Sequence, residues 1–367
     1  MDKLKSIVVG VDLSKCSRCA LQQAARMAQW NHARLHVIHA VDHLVISDLA
    51  DAMGLTTAQV ETATIHETKQ RLRDWLSATL QPEEANFDVE VGPPIDVLLC
   101  KVRSVEADLL VLGLHGDSRF PNGAGTLATK CMRKAPTKVM LVQEQQLQPF
   151  RTVLACVDFS ETSREAVAQA LRIALQDQSQ VHFLHVFQGP WHRLHFRAAT
   201  TEASPPFQQH YRLLLEHRLK EFVGDTAGLD TRFKVFEASS HGCGITEYAQ
   251  QVRADLVVLG TKGRTNLGYV LLGSTVERLL RELPCSALTV RAAPTNTGRV
   301  PATAEQTDRL GSGLRPPNSP APAPADVPPL TPFFKNPDPK PTGIKTEPCL
   351  PPPRVGVADA AQPLLPR

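Results

Sequence analysis

An internal duplication constrains this chain more than any other feature. Asp12 and Asp158 each end a short apolar run and stand 146 positions apart, as do His39 and His185. Gly113 and Gly260 are 147 positions apart, and Pro136 and Pro284 are 148 apart. A nearly constant offset over four landmarks means that one supersecondary plan is written twice. Whatever fold the first copy adopts, the second must adopt as well.

Within the first copy, apolar runs alternate with helical periodicity. Residues 7–11 read as a strand, closed by Asp12 and by Ser14, a natural helix cap. A helix over 19–30 follows, with Leu21, Ala24, Ala25 and Ala28 on one face. Further strands are expected at 35–41, 87–91, 108–113 and 138–142, with helices at about 56–80, 95–105 and 127–133. The second copy restarts at 153–160 and repeats the order. Five strands alternating with helices imply a parallel sheet with helices on both faces, an α/β, doubly wound, Rossmann-like architecture.

The stretch 259–275, LGTKGRTNLGYVLLGST, carries the chemistry. It lies between the apolar run 254–259 and the helical pattern 276–283, so it is a strand-to-helix loop. Gly260, Gly263 and Gly273 let backbone N–H groups approach a ligand without an intervening Cβ. Ser274 and Thr275 add hydroxyls where the helix begins, and the free amides of a helix start favour an anion. Lys262 and Arg264 add positive charge, so a phosphate chain suits the loop. The spacing is neither a P-loop nor the dinucleotide G-x-G-x-x-G. The alternative is a plain βα loop with turn glycines.

The G-x2-G-x9-G-[S/T] spacing resembles the ATP-binding signature of the universal stress protein family. The strand ending in Asp-x-Ser, the Leu-His-Val-type second strand, the ADLVVLG strand and the final Pro-plus-strand extend the resemblance over about 3–143 and 150–292. The chain thus looks like a tandem, two-domain member. Its expected domains are 1–145 and 150–293, followed by a tail over 294–367. The resemblance implies two five-stranded sheets in the order 3-2-1-4-5, with a ligand crevice between strands one and four.

Carried onto the second copy, the resemblance implies ATP with Mg2+ as ligand. Asp158 would serve the ribose or adenine side, with Cys156 and Val157 lining that pocket and Val186 offering backbone contacts to the base. Leu259 and Gly260 would pack near base and ribose. Lys262, Gly263, Gly273, Ser274 and Thr275 would hold the phosphates. An ordinary helix-capping role is the alternative for Asp158. The resemblance also implies pairing through the fifth strands, 138–142 and 287–291, within one molecule, and leaves a homodimer open.

The first copy departs from the signature. Gly113, Gly116, Gly125 and Thr126 remain, but only eight residues separate Gly116 from Gly125. Pro121 has no N–H to give, and Asp117 stands where the second copy has Arg264. Placing a carboxylate beside a phosphate chain costs on the order of 1 kcal/mol or more. The first site is therefore expected to bind ATP weakly or not at all, as a degenerate duplicate.

Other features bound the function. A net charge of +3 argues against a dedicated nucleic-acid binder. No run approaches the ~18 apolar residues of a membrane helix, and the first apolar run is too short for a signal core. Eight scattered cysteines suit a reducing cytoplasm better than a disulfide framework. Cys16 and Cys19 form a C-x-x-C at a helix start, where the dipole and Arg18 lower a thiol pKa. A thiol redox sensor is one reading of the pair, and inert surface thiols are the favoured one. His36, His39 and His43 cluster, but His36 and His39 should point to opposite faces of a strand, which disfavours a metal site. His192 and His195 lie beside Trp191 in a variable loop that either covers the second crevice or has no role.

Of the chain's 29 prolines, 19 lie between Pro294 and Pro366. Such a segment buries too little surface to offset its ordering entropy and reads as a disordered tail, with 316–332 offering docking sites for a proline-reading protein. The sequence shows no evident base for hydrolysis, so binding or very slow turnover is expected rather than an efficient ATPase. The favoured function is an ATP-binding stress protein whose nucleotide state tunes protein association. The alternative is a scaffold acting through the tail.

Overall fold

The computed structural model describes residues 3–79, 85–116, 124–192, 205–261 and 273–291. Lys262, Gly263, Arg264, Asp117, Pro121, His195 and the whole tail lie outside them.

The first repeat runs β1 (Ser6–Gly10), α1 (Lys15–Asn31), β2 (Arg34–Val41), α2 (His43–Met53), α3 (Thr57–Ser77), β3 (Asn86–Val91), α4 (Pro94–Ser104), β4 (Leu109–Gly113), α5 (Thr126–Lys134) and β5 (Lys138–Val142). The second runs β6 (Thr152–Cys156), α6 (Glu161–Asp177), β7 (Gln180–Phe187), a 3-10 turn (Pro190–His192), α7 (Pro205–Val223), β8 (Thr231–Glu237), α8 (His241–Gln251), β9 (Leu256–Gly260), α9 (Ser274–Arg281) and β10 (Ser286–Val290). The stretch after β2 differs from the sequence reading. It holds a separate helix, α2, before the long α3, so His43 sits on a helix and not at a strand end.

The two sheets join into one of ten strands, ordered β3-β2-β1-β4-β5-β10-β9-β6-β7-β8. Each half has the 3-2-1-4-5 order and is parallel throughout. At the centre β5 and β10 run antiparallel, with Leu141 opposite Ala287 and Val139 opposite Thr289. Each repeat thereby covers the edge that the other would expose.

Strand alternation feeds two cores. Ile7, Val9, Leu109 and Val111 face the layer of α1, α3, α6 and α7. Val8, Leu110 and Leu112 face the layer of α4, α5, α8 and α9. Both faces are apolar, which is why these strands read as continuous runs.

A pseudo-symmetric brace locks the repeats behind the sheet. Arg26 on α1 pairs with Asp177 on α6, whose side chain is 1% exposed. The other Asp177 oxygen accepts the Phe150 N–H at 2.8 Å. Arg172 and Asn31, 146 positions from Arg26 and Asp177 respectively, form the mirror contact, at 2.6 Å. Gln23 donates from α1 to the carbonyls of Gln146 and Gln148 at 3.0 and 2.8 Å, fixing the link between repeats.

Candidate functional site

In each repeat the strand order reverses between its first and fourth strands, and a crevice opens beyond their carboxyl ends. The turn after β6 shapes the second crevice. Phe159 sits in the left-handed region at φ 64°, as Leu13 does in the first repeat. Neither is glycine, so the conformation must be held by its surroundings. His185 supplies one constraint. Its Nδ1 lies 2.7 Å from the Val157 carbonyl, which can only accept, so Nδ1 carries a proton. His39 does the same to Val11 at 2.8 Å. The repeated histidine noticed in the sequence is thus the pin of the turn. The Phe159 ring packs on His185 in a tilted arrangement with centroids 4.4 Å apart, and the Arg218 guanidinium lies over the Phe159 ring, 4.3 Å from its centroid.

The turn aims Asp158 into the crevice. Asp158 Oδ1 accepts the Ser160 N–H at 3.0 Å, and Asp12 Oδ1 accepts that of Ser14 at 3.1 Å. Each aspartate thus also shapes the start of a helix, and the Ser160 and Ser14 hydroxyls then cap α6 and α1. For Asp158 the capping and crevice roles coexist.

The second crevice has a volume of about 320 Å³. Of the residues expected to form a site, Cys156, Val157, Asp158, Val186 and Leu259 line it. So do Gly260, Gly273 and Thr275. Ser274 is the first residue of α9, while Lys262 and Gly263 lie outside the described residues. Burial holds the Cys156 thiol far above its ordinary value, with Cys285 and Asp158 adding to the effect. It is a neutral, apolar part of the wall. At the opposite end α9 begins with no side-chain cap, and its first intrahelical bond is Glu277 N–H to the Gly273 carbonyl. The amides of Ser274, Thr275 and Val276 have no acceptor within the helix. Gly260 permits the close packing of β9 on α6. A Cβ there would stand 2.7 Å from Thr162 Oγ1 and 3.0 Å from the Thr162 carbonyl carbon.

Sequence reasoning did not single out His241 and Ile245, which line the same crevice from α8. Gly244 is the signal that could have found them. It lets α8 lie against Val186, since a Cβ would stand 2.6 Å from Val186 Cγ1.

The first crevice has not closed despite its shortened glycine motif. It has a volume of about 440 Å³, against about 320 Å³ in the second repeat. Gly10 stands where the second repeat has Cys156, and Ala40 where it has Val186. At the α5 end, Leu127 lines the space that Thr275 lines in the second repeat.

Two expectations about other clusters are corrected or sharpened. Cys16 and Cys19 are not surface thiols, as each is 2% exposed. Cys16 donates to the Val142 carbonyl at 3.2 Å and Cys19 to that of Glu144 at 2.6 Å. Burial raises both thiols, Cys19 to about 11, with Cys16 and Glu144 adding, and this outweighs Arg18. His36 is buried and His39 faces the opposite side of β2. Among the described residues no three metal-ligating side chains converge. Trp191 packs on Phe187, Tyr211 and Phe207, at ring separations of 6.5, 5.9 and 6.3 Å.

Comparison with known proteins agrees with this geometry. A model described as the universal stress protein family matches residues 3–143 and 149–291. The chain is 24% identical over 311 residues to universal stress protein E of Photorhabdus laumondii, covering 79% of this chain and 96% of that one. It is 22% identical over 314 residues to a universal stress protein E homolog of Haemophilus influenzae, with 79% and 98% covered. Among solved structures, a universal stress protein from Archaeoglobus fulgidus superposes with a TM-score of 0.55 at 14% identity, over 78% of this chain and 98% of that one.

Proposed function

The chain belongs to the universal stress protein family, and from that premise we propose that its second crevice binds ATP, as the magnesium complex, and that nucleotide occupancy tunes association with other proteins. The observation that carries this reading is the composition of one crevice. A hydrocarbon floor of Leu184, Val186, Ile245 and Leu259 suits a base. Asp158 lines the same crevice, and its carboxylate suits ribose hydroxyls as an acceptor. Three amides at the start of α9 and the Thr275 hydroxyl suit a phosphate chain. Lys262 and Arg264, in the loop sequence that leads to α9, would add the charge that a phosphate chain and its magnesium leave uncompensated.

Binding, not efficient hydrolysis, is the proposed activity. The imidazole of His185 holds the Val157 carbonyl, and one Asp158 oxygen holds Ser160 while the other is assigned to the ribose, so neither group is set to activate a water. The proposed setting is the cytoplasm. Among the described residues no helix is long and apolar enough to cross a membrane.

Photoaffinity labelling of the full chain with an azido-adenine analogue of ATP tests the assignment. The label should map to peptides from the second repeat and should be competed by ATP. Labelling concentrated on the first repeat would overturn it.

A further inference from the structure

We propose that the first repeat completes the phosphate end of the second crevice. Arg133, on α5, is a positioning residue that offsets the carboxylate in the first turn of α9 and so sets how tightly that helix start holds an anion. This reading deepens the ATP assignment of the second crevice and rests on it. The helix carries a conflict. Glu277 is the acidic residue of its first turn, where a carboxylate suits the positive end of a helix. Yet Glu277 sits one turn along from Gly273, to whose carbonyl its N–H donates at 3.1 Å. It is therefore close to the Ser274, Thr275 and Val276 amides assigned to phosphate. Two negative charges at that range oppose each other.

The first repeat resolves the conflict. Arg133 Nη2 donates to Glu277 Oε1 at 2.5 Å, across 144 positions of sequence. Arg133 is itself held in place by its backbone. Arg291, just after β10, donates through Nη2 to the carbonyls of Met132 and Arg133 at 3.0 and 2.5 Å and closes the last turn of α5. The far end of α9 is tied to the first repeat as well. Ala124, just before α5, donates its N–H to the Leu280 carbonyl at 2.8 Å. That carbonyl is one of the last four of α9, which have no partner within the helix. The Arg133 and Glu277 side chains are 49% and 35% exposed, so the pair contributes little to stability and its charge balance is felt instead by an anion at the helix start. The arrangement is not reciprocal. Gly125 and Gly273 stand 148 positions apart, as do Pro136 and Pro284, which makes Thr129 the counterpart of Glu277 and Arg281 that of Arg133. Thr129 has no charge to offset. The cross-repeat pair thus belongs to the one crevice proposed to take a phosphate chain.

Calorimetric titration of ATP and magnesium into the full chain at low salt tests this on wild type, Arg133→Met, Glu277→Gln and the double variant. Arg133→Met lowers the charge beside the phosphates by one, Glu277→Gln raises it by one, and the double variant restores it. ATP should bind about threefold to tenfold more weakly to Arg133→Met, about threefold or more tightly to Glu277→Gln, and within about twofold of wild type to the double variant. A pair that only braced the helix would weaken binding in both single variants and leave the double no better than either. That pattern, or Arg133→Met binding ATP as wild type does, would overturn the proposal and leave the ATP site standing. Absence of ATP binding to the wild type would overturn both.

Discussion

Exchanging three residues of the second repeat for their first-repeat equivalents should leave stability nearly unchanged, although each exchange alone is costly. The second repeat places Val186, Ala238 and Gly244 where the first has Ala40, Gly92 and Val97. The equivalence of Ala238 and Gly92 is set by matching bonds, Ala238 N–H to the Phe187 carbonyl and Gly92 N–H to that of Val41. Both sets contain one Val, one Ala and one Gly, so total volume is conserved while its distribution is permuted. A Cβ on Gly244 would stand 2.6 Å from Val186 Cγ1 and 2.8 Å from Ala238 Cβ. Gly244→Val alone should therefore overpack the site and cost about 1–3 kcal/mol. Val186→Ala alone removes two buried methyl groups and should cost about 2 kcal/mol. Ala238→Gly should cost roughly 0.5–1 kcal/mol. Summed, the singles reach about 3.5–6 kcal/mol, whereas a volume-conserving triple exchange should stay within about 1.5 kcal/mol of wild type. Urea unfolding followed by tryptophan fluorescence separates the cases, because a gap of about 3 kcal/mol moves the midpoint by roughly 1 M. A triple variant as unstable as the sum of its singles would refute the reasoning.

Other outcomes follow from the same geometry. Arg26→Met leaves the Asp177 carboxylate, 1% exposed, without its guanidinium, and should cost about 3–5 kcal/mol in urea unfolding; a change below about 1 kcal/mol would show that the pair is not a brace. Cys19, raised to about 11 by burial, should be about one part in a thousand thiolate at pH 8, and its alkylation should quicken as pH rises toward 11. Exposed Cys100 should react first in native protein, and equal rates at pH 8 for both would contradict the burial account. Gly260→Ala forces a methyl against Thr162 and should lower both stability, by about 1–3 kcal/mol, and ATP affinity; unchanged unfolding would show that β9 and α6 have room to part.

The strands themselves were legible because both faces of the sheet are buried, whereas their order and the position of the crevices came from the resemblance to a known family. Strands such as β4 and β9 write their apolar runs without interruption, and the duplicated landmarks fix their equivalence. The residues assigned to the crevice wall lie at strand ends and helix starts, and it was the resemblance that singled them out. What escaped sequence reasoning is nonlocal or weakly patterned. Helix α2 exposes Leu44, Val45, Leu49 and Met53, so its apolar residues do not mark one buried stripe. The burial of Cys16 and Cys19 depends on the carbonyls of Val142 and Glu144, more than a hundred residues away, which no local spacing reveals. The Arg26–Asp177 brace likewise joins two helices of different repeats. Gly10, Ala40 and Leu127 were visible as letters, but their effect on the first crevice emerges only when Leu98 and Leu112 are seen lying over Gly10.

The central claim is that the second repeat holds the ATP site, and its most direct test is calorimetric titration of ATP and magnesium into the full chain, with Gly263→Asp beside it. The account predicts one ATP per chain for the wild type, and loss of at least tenfold in affinity when a carboxylate enters the phosphate loop. No binding at millimolar ATP, two ATP per chain, or binding indifferent to Gly263→Asp would contradict it.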